Sequence, residues 1–517
     1  MIGPPSPPTP LPRGEGEGSG VPQAASVLLA RGPGSREVYV VRRAPALRFL
    51  GGFLAFPGGK VHSSDIELAR TTPGLTAQHV AAVRGLFEEI GVLLAHHTEG
   101  GSLPAGEELV RLRRELMAEQ ITFHDLLAEW KLSLSPEDLT HAGSLVTPAF
   151  SPNRFDTAFF VAVLPPGQTA EVWPGELTEG AWHSAEEVLA EWTAGDSLVS
   201  PPTVSLLEAL RGRPVEELPE RIRPLLESLA TGSIHPIWFS PAVQMIPLLT
   251  QGLPPSTHTN AYLVGTDPAY LFDPGPTDPA EQERLFDLLD DRLSAGLRLA
   301  AVVLTHQHPD HIGAANACAQ RYGVPILAHP LTAQALRGRI EVTRHLEDGA
   351  VLDLGTAPDG KGRWHLQAIH TPGHAAGHLA FYEPRYRLLF VGDMVSTLSS
   401  IVIAPPDGDL AVYIDSLRRL QTFPARLLLP SHGSPSARPD FVLEQCLAHR
   451  REREEQLVQI LGTQPRTVAE VAVEMYRGLP AALMRFAEMQ VIAGLHKLQR
   501  EGRAAADGDA WRGTGGP

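Results

Sequence analysis

Residues 305–311 read T-H-Q-H-P-D-H, directly after the apolar run L-A-A-V-V-L at 299–304. His306, His308, Asp310 and His311 thus stand within six residues at the exit of a buried strand. Imidazole and carboxylate are borderline ligands suited to zinc and its neighbours. A turn this dense in them converges only if it wraps something, which a solvated histidine-rich loop does not. Three further strand ends carry the same chemistry: His374 in T-P-G-H after 364–370, Asp393 in V-G-D after 388–391, and His432 in P-S-H-G after 426–429. In layered α/β sheets, sites gather outside one edge of the strands. Pooled, the four loops offer five histidines and two aspartates, enough for two metal ions. One partition places His306, His308 and His374 on the first ion and Asp310, His311 and His432 on the second, with Asp393 bridging.

Working outward, strands and helices alternate on both sides of this loop, which predicts layered α/β packing with helices on the sheet faces. The stretch 234–441 forms one such domain. Residues 23–213 form another, a mixed α/β domain with strands at its start, a helix over 76–90 closed by Gly91, and a second helical tract over 107–132. Residues 214–233 read as a helical linker carrying prolines. Residues 442–506 are nearly all helical in pattern. The Pro-, Gly- and Glu-rich lead-in 1–22 and the end 507–517 are expected to be disordered.

Composition bounds the function. Lys and Arg number 43 against 59 Asp and Glu, a net charge of -16, which argues against coating nucleic acid non-specifically. Two cysteines exclude a disulfide framework and a cysteine-based zinc cluster. No run reaches the length of a membrane span, and residues 1–20 lack the pattern of a secretory signal, so the expected home is the cytoplasm.

The set H-x-H-x-D-H, T-P-G-H, V-G-D and P-S-H resembles the metallo-β-lactamase superfamily over residues 236–432. The resemblance implies an αββα sandwich and a dinuclear centre, with F-D-P-G placing Asp273 as an acidic support behind the ligands. It further implies a hydroxide, generated on the metal pair, that attacks an electrophile, with Asp310 both ligating and orienting it. Zinc is the default ion; iron and manganese fit mixed His/Asp ligands too. His378, four residues past His374, is expected to support a ligand or touch substrate. His365 and His370 read as packing or supporting residues, His258 as a surface residue and Asn260 as a turn former.

The tail resembles the winged-helix module that follows the metal domain in the β-lactamase-like endoribonuclease branch. Residues 450–503 hold nine Lys/Arg and seven Asp/Glu, too small a surplus to argue nucleic-acid binding. A helical wall closing the active-site cleft is the other reading.

F-P-G-G-K at 56–60 and R-G-L-F-E-E-I-G-V at 84–92 resemble a Nudix box, in the branch of peroxisomal coenzyme A diphosphatases. Gly59 and Arg84 are its structural residues, and Glu88 and Glu89 its candidate ligands for Mg2+ or Mn2+. Where the family has Glu after the Arg, this chain has Gly85. Asp65 stands at the early acidic position. The expected function is a metal-dependent hydrolase of a thioester or related small metabolite, with the Nudix half acting on nucleoside diphosphate-linked compounds. Single-stranded RNA as substrate, and a Nudix half that only binds or scaffolds, are the alternatives.

Overall fold

The computed structural model describes residues 20–514 except 48, 101, 102, 105 and 174. The chain clusters into two compact units. The first holds the described residues of 1–32, 57–147 and 153–173, the second those of 33–56, 148–152 and 174–517. Compactness therefore does not divide at residue 213, because 33–56, 148–152 and 174–213 cluster with the second unit.

In the first unit, strand Gln23–Ala30 runs parallel to Asp156–Val163, from Gln23↔Asp156 to Ala30↔Val163. Gly58–Lys60 and Thr140–Val146 add antiparallel. Helix Ala77–Ile90 starts where the Thr76 side chain accepts from the His79 amide and stops at Gly91, with buried Val80, Val83, Leu86, Phe87 and Ile90. The tract 107–132 is two helices, Glu107–Met117 and Phe123–Glu129, and not one. Thr122 caps the second, its side chain accepting from the Asp125 amide.

The second unit contains a sandwich of two sheets. The first sheet runs in the order Ile237–Ser240, Val243–Leu249, His258–Gly265, Ala269–Phe272, Leu299–Val303, Ile326–Ala328, Arg344–His345. The second runs Val351–Thr356, Arg363–His370, Leu379–Glu383, Leu388–Ser396, Leu427–His432. Between them lies a core of Tyr262, Phe272, Val303, Trp364, Phe381 and Phe390. Helix Pro279–Ser294 packs Leu285, Phe286 and Leu289 on the outer face of the first sheet. Helices Leu410–Leu420 and Pro439–Leu461 pack Tyr413, Leu417, Leu443 and Leu447 on the second. The expected linker region contains helix Leu218–Ala230.

After helix Pro439–Leu461 come helices Val468–Met475 and Met484–Arg500, then a hairpin of Ala504–Asp507 and Ala510–Gly513 joined by Arg466–Thr467. Residues 510–513 are thus a strand and not part of a disordered end. The short alternation A-W-R-G gave too little apolar pattern to predict it. Residues 1–19 and 515–517, expected disordered, lie outside the described residues. Among the described residues, no helix is long and apolar enough to cross a membrane.

Glu383 sits at the end of its strand with no solvent exposure. It accepts from Trp364 Nε1 at 2.8 Å and from the amides of Arg385 and Tyr386 at 2.8 and 2.6 Å. Burial outweighs these donors and pushes its pKa up from 4.5 to about 7. The folded protein therefore holds this proton more tightly than the unfolded chain does. The contribution is full below 4.5 and is lost as pH rises to about 7. Glu383→Gln is expected to flatten that part of the pH profile, read as thermal midpoints at pH values on either side of the window. An unchanged slope would contradict this account.

Candidate metal centre

His306, His308 and Asp310 follow strand Leu299–Val303, and Pro309 opens the short helix Pro309–Ile312 that turns His311 inward. His374 follows Arg363–His370, Asp393 lies within Leu388–Ser396, and His432 ends Leu427–His432. The fold brings all seven together. His308 Nδ1 lies 3.0 Å from His306 Nε2 and 2.9 Å from His374 Nε2. On the other side, Asp310 Oδ2 lies 3.8 Å from His311 Nε2 and 3.4 Å from His432 Nε2. Asp393 stands between: Oδ1 is 3.5 Å from His311 Nε2 and 3.3 Å from His432 Nε2, while Oδ2 is 3.6 Å from His374 Nε2. Three sets of converging ligand atoms result: His306, His308 and His374; His306, His311 and Asp393; Asp310, His311 and His432.

The donor set fits a cation on its own terms. His311 Nε2 and Asp393 Oδ1 are buried with no hydrogen-bond partner, although buried polar atoms are ordinarily satisfied. Burial holds His306 far below the ordinary imidazole range and His308 at about 4, helped by neighbouring imidazoles, so both present neutral nitrogens. Burial opposes protonation of His432 too, but Asp393 and Asp310 overcome it and push that pKa to about 10. The same balance raises His311. Positive charge is thus favoured among these carboxylates.

A layer of supports fixes the ring orientations. Asp273 accepts from the Thr305 amide at 2.8 Å, Thr305 Oγ1 at 2.7 Å and His311 Nδ1 at 3.0 Å, leaving His311 Nε2 aimed at the cluster. The Val402 carbonyl accepts from His374 Nδ1 at 2.9 Å. Arg450 and Gln490 both donate to the adjacent Ile401 carbonyl, at 2.6 and 2.8 Å, so the C-terminal helices hold the segment that orients His374.

His378 is fully buried: its Nε2 accepts from the Asp393 amide at 3.1 Å, and its Nδ1 pairs with Thr371 Oγ1. It supports the ligand strand and makes no wall of the cavity, which removes the substrate-contact expectation. Gly392 is required beside it, since φ is +50° and a Cβ would lie 2.5 Å from His378 Nε2. Asn260 does more than form a turn: Nδ2 donates to the Pro430 and Gly433 carbonyls at 2.9 and 2.8 Å, on either side of His432. His258, expected at the surface, supplies the carbonyl that accepts from His432 Nδ1 at 2.9 Å, and Ser256 Oγ lies 3.0 Å from the same nitrogen. Sequence reasoning missed Ser256. His370 stacks on His329 with ring centroids 4.1 Å apart. His365 lies half-buried in strand Arg363–His370.

Part of the cluster opens onto a cavity of about 600 Å³. His308, Asp310, His374, Asp393 and His432 line it together with residues of the C-terminal helices.

The Nudix-like box is differently arranged. Arg84 grips Asp65 with Nε and Nη2, at 2.9 and 2.8 Å, and donates Nη1 to Glu88 at 2.8 Å. Glu89 accepts from the Gly58 amide at 2.8 Å, tying the helix to the Gly58–Gly59 turn. A Cβ on Gly85 would lie 2.6 Å from the Gly58 carbonyl carbon and 2.8 Å from the Gly59 nitrogen. Backbone fills the place where the family carries glutamate. Gly85→Glu is therefore expected to lower stability by about 1–3 kcal/mol through overpacking. Denaturant titration checks it; a variant of unchanged midpoint would contradict the close approach.

Comparison with known families places these elements. Residues 255–432 match the metallo-beta-lactamase superfamily, residues 65–210 the NUDT19 Nudix domain, and residues 467–511 the beta-lactamase associated winged helix domain. The chain is similar to the atrochrysone carboxyl ACP thioesterase AacuM of Aspergillus aculeatus, 30% identical over 210 residues, which cover 40% of this chain and 60% of that protein. It is similar to a beta-lactamase-like protein 2 homolog of Caenorhabditis elegans, 27% identical over 47% of this chain and 79% of that one. Among solved structures, a NUDIX hydrolase from Alicyclobacillus acidocaldarius is 30% identical with a TM-score of 0.35, covering 39% of this chain and 96% of that one. The chain is a hydrolase that joins, in order, a Nudix domain, a domain of the metallo-beta-lactamase superfamily and that superfamily's associated winged helix.

Proposed function

We propose that this chain hydrolyses an acyl thioester at a dinuclear centre. His306, His308 and His374 would hold one ion and Asp310, His311 and His432 the other, with Asp393 shared between them. When bound, the ions, zinc or else iron or manganese, would acidify water and polarise the substrate carbonyl. The observation that carries the reading is the placement of Asp393, whose two oxygens face separate ligand clusters on the wall of one cavity. Asp310, on that wall, orients the attacking water by accepting its hydrogen bond. Asp273, the His258 carbonyl and the Val402 carbonyl keep the ligating nitrogens of His311, His432 and His374 turned inward. The thioester class is supported by the similarity to the ACP thioesterase AacuM, of which this chain spans three-fifths.

For the Nudix half we infer a scaffold. Its carboxylates Asp65, Glu88 and Glu89 are engaged by Arg84 and the Gly58 amide, and Gly85 supplies none. Mass spectrometry of products from an acyl-coenzyme A, zinc and magnesium tests both readings. Free coenzyme A, lost in Asp310→Ala, is the expected product. Acyl-phosphopantetheine with adenosine 3',5'-bisphosphate would overturn the scaffold. An untouched thioester alongside cleaved single-stranded RNA would overturn the thioester reading.

A further inference from the structure

The cavity continues past the metal ligands into the C-terminal module, where its wall changes character. Ile401 lines it from the segment after strand Leu388–Ser396, Leu410 from the start of helix Leu410–Leu420, Leu457, Met475 and Phe486 from the C-terminal helices, and Leu479 from the turn between two of them. Two of the three arginines on this wall, Arg450 and Arg453, are spent on the wall itself, and the third, Arg485, lies 4.5 Å from the Phe486 ring centroid. Arg450 donates to the Ile401 carbonyl and lies 4.9 Å from the Tyr413 ring centroid. Arg453 donates to Gln456 and lies 4.8 Å from that of Tyr476. Glu454 is paired with Lys497 and Arg503. Grooves that track a nucleic-acid backbone instead combine free cations with stacking platforms.

We propose that this apolar arm is an acyl-chain channel: the winged-helix module receives the hydrocarbon tail of the substrate, while the carbonyl end lies at the metal ligands. The proposal rests on the thioester reading for its carbonyl end, but its own observation is the apolar wall joined to the ligand cluster in a single cavity. A tail in such a channel gains binding with each methylene removed from water. The channel thus makes chain length a specificity determinant, with Leu479 and Phe486 touching the tail.

Calorimetric titration of the full zinc-loaded chain with straight-chain carboxylates from butanoate to tetradecanoate tests this without relying on turnover. Affinity is expected to rise by up to about fourfold per methylene until the cavity is filled. Leu479→Arg and Phe486→Ala, each checked for an intact thermal transition, are expected to cut the ratio of dodecanoate to butanoate affinity by about tenfold or more. Having two variants guards against one failing to fold. A flat length profile in the unaltered chain overturns the channel, as does an equal loss for both acids in the variants. Displacement of bound dodecanoate by single-stranded RNA in a salt-dependent manner also overturns it, because the arm would then be a nucleic-acid groove. Length-dependent binding without hydrolysis of any acyl thioester would sink the thioester reading and leave the channel standing. Hydrolysis of acetyl and dodecanoyl thioesters with equal kcat/KM and flat binding would do the reverse.

Discussion

Asp393→Asn is expected to abolish stoichiometric binding of two ions and to lower kcat/KM by on the order of a thousandfold or more. The residue is 7% exposed, and its two oxygens face both ligand clusters. An amide of the same shape keeps the backbone bond to His378 Nε2, so the strand geometry survives. It removes the anionic carboxylate that faces His311 and His432 on one side and His374 on the other. The variant is therefore expected to fold while losing metal, which elemental analysis and thermal denaturation separate. A variant that retains two ions and full turnover would show that the carboxylate is not shared.

Asp273→Asn is expected to weaken metal binding at His311 by about 10–100-fold. Asp273 adopts φ +46°, a region that asparagine tolerates, so the backbone is not the variable. With its carbonyl oxygen kept on the Thr305 amide, the new amide nitrogen faces His311 Nδ1. That nitrogen must then accept, which moves the ring proton to Nε2, the atom aimed at the cluster. Zinc titration by calorimetry reads the change. Unaltered affinity would mean that Asp273 contributes only to loop packing.

The convergence of these seven residues was legible because each sits in a short local motif at a strand end: T-H-Q-H-P-D-H, T-P-G-H, V-G-D and P-S-H. The layering was legible for the same reason, since apolar runs alternate with helical periodicity around those motifs. The supports of His432 were not. Ser256, the His258 carbonyl and Asn260 reach it across more than 170 residues of sequence, and one of them acts through backbone that no side-chain pattern reveals. Strands Val243–Leu249 and Val351–Thr356 carry weak patterns, since one holds Pro247 and the other alternates only briefly against solvent. The wing strand Ala510–Gly513 is similarly short.

Gly85 illustrates a different limit. Its identity showed that a family carboxylate is missing, but not that the Gly58–Gly59 backbone occupies the space. Nor did the sequence reveal that Arg84 binds Asp65 with two parallel bonds while Glu89 ties down a backbone amide. Spacing places residues on one helix face, and only tertiary contacts decide whether a carboxylate is open to a cation or committed to a partner.

Seven side chains acting as one dinuclear centre would hold two ions per chain. The most direct test is metal content per chain after stripping the protein, reconstituting it with zinc and removing free ions. Two tightly held ions are expected in the unaltered chain and a loss in Asp393→Asn; a chain that retains fewer than two, or a variant that matches it, would mean that the seven side chains do not form one dinuclear centre.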